Sequence, residues 1–183
     1  EAVNIALGSA DRMTTLVNAI LDVSRLETKQ MPVERRTFAL APLVAETIKL
    51  QEVLADKKGL TLENAVAPEV LIWADSNLIG RVLQNLIGNA IKFTPAGGRV
   101  RVASHVLPGH DTFAVSVSDT GIGIPPELQD RLFQKFVTGQ HLERGSGLGL
   151  AFCRLAVEAH SGRIWVESEP GQGATFTFIL PQA

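Results

Sequence analysis

The stretch RVLQNLIGNAIKF, residues 81–93, is an apolar helical pattern that polar side chains interrupt on one side. Asn85, Asn89 and Lys92 follow one another at spacings of four and three, which places them on a single stripe of a helix. An amide oxygen is a hard metal ligand, and a lysine is a mobile positive charge. The stripe therefore suits a magnesium ion and phosphate oxygens, although such asparagines also serve as caps or bridges between surface elements.

A second segment, SDTGIGIPPE at residues 118–127, follows further along the chain. Asp119 ends a strand pattern there, and Gly121 and Gly123 allow the backbone to approach a ligand closely. Alone this is a weak signal, since an aspartate before a glycine is most often a turn former.

A third segment, RGSGLGLAF at residues 144–152, places Gly145, Gly147 and Gly149 in front of a helical pattern. Glycine-rich loops are often plain turns, but the free N–H groups and the dipole of a helix start favour anions. No GxxxxGK[ST] motif occurs, which excludes a Walker loop, and the glycines do not follow a strand, which argues against a Rossmann site. The three segments together predict a nucleotide site of another architecture.

The composition describes a globular chain. Of its 183 residues 45% are hydrophobic, which is enough for a core, and the formal net charge is −2. No basic run of the kind that tracks a phosphate backbone is present, so nucleic acid is not an expected partner. Cys153 is the single cysteine, which leaves no disulfide framework and suits a reducing compartment.

Residues 1–30 are expected to form a unit of their own. Residues 9–27 have apolar positions at spacings of three and four, typical of one amphipathic helix: Met13, Leu16, Val17, Ile20, Val23 and Leu26. The polar stretch ETKQMPVERRTF contains Pro32 and indicates a linker. We therefore place a domain boundary there, with a second domain at residues 31–183.

Within the second domain, helix and strand patterns mix. Helices are expected at 42–58, 77–93, 127–136 and 148–160, and strands at 36–39, 60–64, 70–75, 98–106, 112–119, 163–169 and 174–180. Short turns such as LPGHD join neighbouring strands as hairpins. The order predicts an α/β (α+β) two-layer sandwich, with a mixed, largely antiparallel sheet covered by helices and preceded by one long helix.

The order of NLIGNAIKFTP, DTGIGI, FQKF and GSGLGL resembles the N, G1, F and G2 boxes of the catalytic ATP-binding domain of bacterial sensor histidine kinases. SADRMTTLVNAILDVSRLE is similar to the second helix of the dimerisation and histidine-phosphotransfer hairpin that precedes that domain. The resemblance implies a protein-histidine kinase with the histidine-kinase-type ATPase fold, and with ATP and Mg²⁺ as cofactors.

Carried over by position, the resemblance implies that Asp119 accepts a hydrogen bond from the adenine amino group. Gly121 and Gly123 would shape the loop beside the base, and Asn89 would ligate Mg²⁺. Three residues would approach the phosphates, namely Asn85, Lys92 and Arg144. A lid over ATP would be bounded by Phe133 and Phe136 at one end and by Gly145, Gly147 and Gly149 at the other.

Position 85 separates kinases from hydrolases in this superfamily. Type II topoisomerases and a heat-shock chaperone, whose ATP-binding domains are similar, carry a glutamate there to activate water. An amide cannot accept that proton at neutral pH. Asn85 therefore favours transfer to another acceptor over efficient hydrolysis.

The acceptor itself is not found in this chain. The phosphoacceptor motif does not fit any of the four histidines, namely His105, His110, His141 and His160. Because the chain begins with Glu1, we expect the first hairpin helix to lie outside it, so that the chain binds ATP without autophosphorylating.

The resemblance also implies partners and a location. The partners would be a hairpin with the phosphoacceptor histidine, a response regulator receiver domain, and a second copy in a homodimer. The location would be the cytoplasm, either free or as the cytoplasmic part of a membrane-bound sensor. Two alternatives remain open at this point, a serine-directed protein kinase of the same fold and a pseudokinase that binds nucleotide and acts as a partner-binding module.

Overall fold

The architecture is seen in a computed structural model that describes residues 2–106, 112–137 and 146–181. Its helices are α1 (Ala2–Glu27), α2 (Leu40–Asp56), α3 (Ser76–Phe93), α4 (Pro126–Gln129) and α5 (Gly149–Ala159). Its strands are β1 (Arg36–Ala39), β2 (Thr61–Ala65), β3 (Leu71–Ala74), β4 (Arg99–Val106), β5 (Thr112–Asp119), β6 (Arg163–Ser168) and β7 (Ala174–Pro181). In this part of the chain, no helix has the length and apolar character needed to cross a bilayer.

Five strands form one sheet in the order β2-β4-β5-β7-β6, and β1 and β3 form a separate pair. The β2–β4 pairing is parallel, whereas the other three pairings in the large sheet are antiparallel. Helices α2, α3 and α5 lie against this sheet. The predicted two-layer sandwich with a mixed, largely antiparallel sheet is confirmed.

Helix α3 runs through the centre of the core, because its apolar face is buried along its whole length. Asp75 caps its first turn: the carboxylate oxygen Oδ1 accepts hydrogen bonds from the N–H groups of Asn77 and Leu78. The helix ends at Phe93, before Thr94 and Pro95. The stripe of polar residues is thus carried on a helix whose apolar face is buried in the core.

Among the residues that the structure describes, helix α1 is buried against the domain near its C-terminal end. Val23 and Leu26 are buried where α1 packs against α5. Upstream of them Met13, Leu16 and Val17 are exposed, as are Ile20 and Leu21. The apolar positions of the predicted amphipathic helix are therefore exposed before Val23 and buried at Val23 and Leu26. The boundary between residues 30 and 31 stays a prediction.

The helix expected at 127–136 is wrong in length, since α4 ends at Gln129 and turns follow it. Phe136 has φ +63, a left-handed conformation that a right-handed helix does not accept. Its N–H donates to the carbonyl of Gly147 at 2.9 Å, a partner that local sequence patterns do not reveal. The hairpin loop LPGHD, with His110, lies outside the described residues.

Candidate functional site

A cavity of about 690 Å³ lies between α3, the loop after β5 and the start of α5. The predicted residues that line it are Asn85, Asn89, Lys92, Asp119, Gly123, Gly147 and Gly149. They come from three separate segments of the sequence, and the fold brings them to one place.

The polar wall of the cavity is the stripe on α3. The side-chain nitrogen Nδ2 of Asn85 donates to the carbonyl of Arg81 at 3.0 Å, one turn earlier in the helix. This bond uses one of the two N–H donors of the amide, and an anion can accept from the other. Lys92 is exposed at the rim, with its ammonium 5.1 Å from the centre of the Phe93 ring.

Asp119 lies at the end of β5 and is half-buried. Its Oδ1 accepts from the backbone N–H of Gly121 at 2.8 Å and from that of Ala174 at 3.3 Å. Burial raises the pKa of this carboxyl above its ordinary value, and the two N–H bonds oppose the rise. Both of these bonds fall on Oδ1, so within the described residues Oδ2 is the oxygen that can accept from a ligand.

Two glycines of the site have conformations that other residues avoid. Gly123 has φ +71, and a Cβ there would lie 2.0 Å from the carbonyl oxygen of Glu169. Gly147 has φ +65, and a Cβ there would lie 2.7 Å from the Cα of Phe136. Positive φ and close backbone approach both require glycine, so these positions serve to place the two loops beside the cavity.

Gly149 begins α5 and faces the amide stripe. A Cβ at this position would lie 2.8 Å from Oδ1 of Asn85. The absence of a side chain therefore lets the N-terminus of an 11-residue helix approach α3 closely. Free N–H groups and the positive end of the helix dipole lie at such a start, so this wall of the cavity favours an anion.

The other predicted site residues lie at the edge of the cavity or outside the description. Gly121 donates to Asp119 but does not itself line the cavity. Phe133 packs edge-on against Phe176 with ring centres 6.2 Å apart, and Phe136 is 64% exposed and away from the lining. Arg144 and Gly145 lie outside the described residues, as does His141.

Sequence reasoning missed the apolar part of the lining. It consists of Ala90, Phe93, Ile122, Ile124, Pro125, Leu128, Leu132, Val137, Leu150, Ala174 and Phe176. Such a surface suits a flat, weakly polar ring. Ala174 could have been suspected, because it follows the two-glycine turn PGQG directly and begins the strand that pairs with the one ending at Asp119.

The described residues contain no group of three or more His, Cys, Asp or Glu side chains that could hold a metal ion. A hard cation at this site would therefore take few ligands from the protein. Asn89 lines the cavity and offers an amide oxygen, and Mg²⁺ characteristically completes its shell with water and phosphate oxygens. The residues present fit such an ion when a phosphate ligand accompanies it.

An amide stripe, a half-buried aspartate after a strand and a glycine-rich helix start around one cavity define a nucleotide-binding α+β domain. Residues 74–183 match the family model described as histidine kinase-, DNA gyrase B-, and HSP90-like ATPase. The chain belongs to this family, as the sequence resemblance predicted.

Relatives narrow the class further. The adaptive-response sensory kinase SasA of Synechocystis sp. is 38% identical over 172 residues, which are 92% of this chain and 45% of SasA. This chain thus spans less than half the length of that relative. The histidine protein kinase DivJ of Caulobacter vibrioides is 33% identical over 177 residues, which are 94% of this chain and 29% of DivJ.

Two solved structures share the fold. Full-length ShkA in complex with AMPPNP aligns with a TM-score of 0.87 at 33% identity, over 96% of this chain and 37% of ShkA. Histidine kinase ThkA in complex with the response regulator protein TrrA aligns with a TM-score of 0.77 at 30% identity, over 99% of this chain and 50% of ThkA. Both alignments extend over α1 as well as the sandwich.

Proposed function

We propose that this chain is the ATP-binding catalytic part of a sensor histidine kinase, which transfers the γ-phosphate of ATP to a histidine on a helical hairpin. The observation that carries the proposal is the convergence of Asn85, Asn89, Asp119 and Gly149 on one cavity. The AMPPNP bound by full-length ShkA supports ATP as the nucleotide.

The base end of the cavity lies at Asp119. Its Oδ2 accepts a hydrogen bond from the exocyclic amino group of adenine, while Gly121 and Gly123 hold the surrounding loop in place. The apolar side chains of Ile122 and Phe176 contact the ring. At the ring position where adenine carries this amino group, guanine carries a carbonyl, which cannot donate a hydrogen bond. The arrangement therefore selects adenine over guanine.

The phosphate end lies between α3 and the start of α5. Asn85 and Lys92 bind phosphate oxygens, and the N-terminus of α5 at Gly149 adds its N–H groups. Asn89 would hold Mg²⁺, which would supply positive charge to the phosphates. No general base stands at position 85, which favours transfer to a protein acceptor over attack by water.

The acceptor histidine belongs to a hairpin of which α1 is the second helix. The exposed side chains of Met13, Leu16, Val17 and Ile20 support this assignment, because they form an apolar stripe suited to another helix. We infer that the complete protein is a homodimer built on this hairpin. The complex of ThkA with TrrA supports a response regulator as the final acceptor of the phosphate.

Calorimetric titration with the Mg²⁺ complex of a non-hydrolysable ATP analogue tests the adenine assignment. Asp119→Asn keeps Oδ1 for Gly121 but places an amide N–H opposite the adenine amino group. We expect the affinity to fall about 10- to 100-fold, the range for losing a hydrogen bond to a charged group. Asp130→Asn, the same change at an exposed position outside the cavity, is the matched control. Equal affinity of Asp119→Asn and the unaltered chain would refute the assignment.

A transfer assay tests the kinase activity. The chain is mixed with the two-helix hairpin of a related sensor kinase and with γ-labelled ATP, and label on the hairpin is followed. We expect an acid-labile label, as a phosphohistidine gives, and none on a hairpin whose acceptor histidine is replaced by glutamine. An acid-stable label would instead indicate a serine-directed kinase, and nucleotide binding with no transfer at all would indicate a pseudokinase.

A further inference from the structure

Lys58 lies outside the cavity and makes an unusual set of contacts with α3. Its ammonium donates to the backbone carbonyls of Ile91 at 2.8 Å, Lys92 at 2.9 Å and Thr94 at 3.0 Å. A lysine ammonium has three N–H donors, so these three bonds use all of them. The side chain of Lys58 therefore caps the C-terminal end of α3.

The turn after α2 brings Lys58 to this place. Leu60 N–H donates to the carbonyl of Ala55, and Gly59 N–H donates to that of Asp56, which is a Schellman-type helix end. Gly59 has φ +61, as the left-handed position of this motif requires. The carbonyl of Lys58 also accepts from Gly97 N–H at 3.1 Å, so the lysine is fixed by its backbone and by its side chain.

The carbonyls that Lys58 binds belong to the turn that carries the phosphate end of the site. The last carbonyls of a helix lack intrahelical partners and form the negative end of its dipole, which a cation stabilises. Asn89 and Lys92 project from this turn into the cavity lining. Fraying of the turn would move both side chains.

The base end of the site has supports that do not involve Lys58. Gly121 N–H donates to Asp119 at 2.8 Å, and Gly171 N–H donates to the carbonyl of Ile122 at 2.7 Å. The link from Ile122 N–H to the carbonyl of Phe93, at the end of α3, is longer at 3.4 Å. Loss of Lys58 should therefore affect the phosphate end more than the base end.

We propose that Lys58 is a positioning residue for phosphate recognition. It holds the last turn of α3 so that Asn89 and Lys92 meet the phosphates and their cation. This inference rests on the proposed function, since it assigns the two ends of the cavity as above. Lys58 thus acts on the site although its side chain does not line the cavity.

The test compares two ligands, Mg²⁺–ADP and adenosine, on the same variants. In Lys58→Met, which keeps the length of the side chain but removes its donors, we expect affinity for Mg²⁺–ADP to fall about tenfold, as for a lost charge-assisted interaction. Adenosine affinity, measured by NMR titration, should change less than about threefold. Lys58→Arg keeps the cation and should restore part of the difference. Lys57→Met, at the exposed neighbouring position, is the matched control.

All titrations are run where circular dichroism shows every variant folded, so that a purely structural role would leave both affinities unchanged. Unchanged Mg²⁺–ADP affinity in Lys58→Met, or an equal loss for adenosine and Mg²⁺–ADP, would overturn the inference. If Lys58→Met does not fold, Lys58→Gln carries the same comparison. Failure of the unaltered chain to bind Mg²⁺–ADP would instead contradict the proposed function.

Discussion

The two ends of α3 are held in different ways. At the end remote from the cavity, the buried Asp75 binds the first turn through Oδ1 and accepts from Glu34 N–H through Oδ2 at 3.0 Å. Its own N–H donates to Nε2 of the buried His160 at 2.9 Å. At the end beside the cavity, the partly exposed Lys58 binds three backbone carbonyls through its ammonium, and the hydroxyl of the buried Thr94 donates to the carbonyl of Ala90 at 2.6 Å.

This difference separates stability from ligand geometry. Buried hydrogen bonds are costly to leave unmade, so changes at Asp75 or His160 should act on folding. Lys58 is attached to the turn that faces the ligand, so its loss should act on binding. Substitutions at the two ends should therefore separate an effect on folding stability from an effect on ligand binding.

The largest effect is expected for Asp75→Ala. It removes the cap of α3 and leaves the N–H of Glu34 without its acceptor, which together should lower the free energy of unfolding by about 2 kcal/mol. Urea denaturation followed by circular dichroism measures this, with Asn77→Ala at the neighbouring exposed position as control. Nucleotide affinity of the folded variant should be unchanged. A large loss of affinity would mean that the remote end also sets the geometry of the cavity.

The next largest effect is a dependence of folding stability on pH. Burial lowers the pKa of His160, and the nearby Arg35 lowers it further, against the opposing influence of the Ala156 carbonyl and Asp75. The unfolded chain therefore takes up this proton first, and stability falls as pH drops below the ordinary value near 6.5, by at most about 1.4 kcal/mol per pH unit.

Urea unfolding at several pH values between about 7.5 and about 5.5 measures the slope of the free energy of unfolding against pH. His160→Gln lacks the titrating group, so the difference in slope between it and the unaltered chain isolates His160 from the other histidines. Parallel slopes would show that His160 does not titrate differently in the folded and unfolded chains.

The smallest effect on stability is expected for the ion pair that Arg81 forms in the second turn of α3. Arg81 forms an ion pair with Asp22 of α1 and lies 4.2 Å from the centre of the Phe152 ring. Because the pair is partly exposed, Asp22→Asn should lower stability by only about 0.5 kcal/mol. Thermal unfolding at low and high salt measures it, and salt should reduce the difference between the two chains. A loss as large as that of Asp75→Ala would mean that α1 is as important to α3 as its cap.

Much of this arrangement could be predicted from sequence because it is local. The apolar spacing of three and four predicted a helix at 77–93, and α3 begins one residue earlier and ends at the same residue. Strand alternation placed Asp119 at the end of β5 in the same way. Both signals lie within a single element, where periodicity and capping are informative.

What could not be predicted depends on contacts between distant segments. The helix expected at 127–136 ends at Gln129, and further along the backbone of Phe136 pairs with that of Gly147. Lys58 looks like any surface lysine in the sequence, and only the turn at Gly59 brings it to the end of α3. The apolar lining of the cavity is likewise drawn from several elements, none of which shows it alone.

The hydrogen bond from Phe136 N–H to the Gly147 carbonyl, 2.9 Å long, has a consequence for changes in the length of the chain between them. It joins the chain on either side of residues 138–145, so that the connection between them starts and finishes at one point. Doubling the length of a flexible loop costs only about 0.6 kcal/mol in closure entropy. Changes in the length of the segment between Phe136 and Gly147 should therefore cost the sandwich little stability.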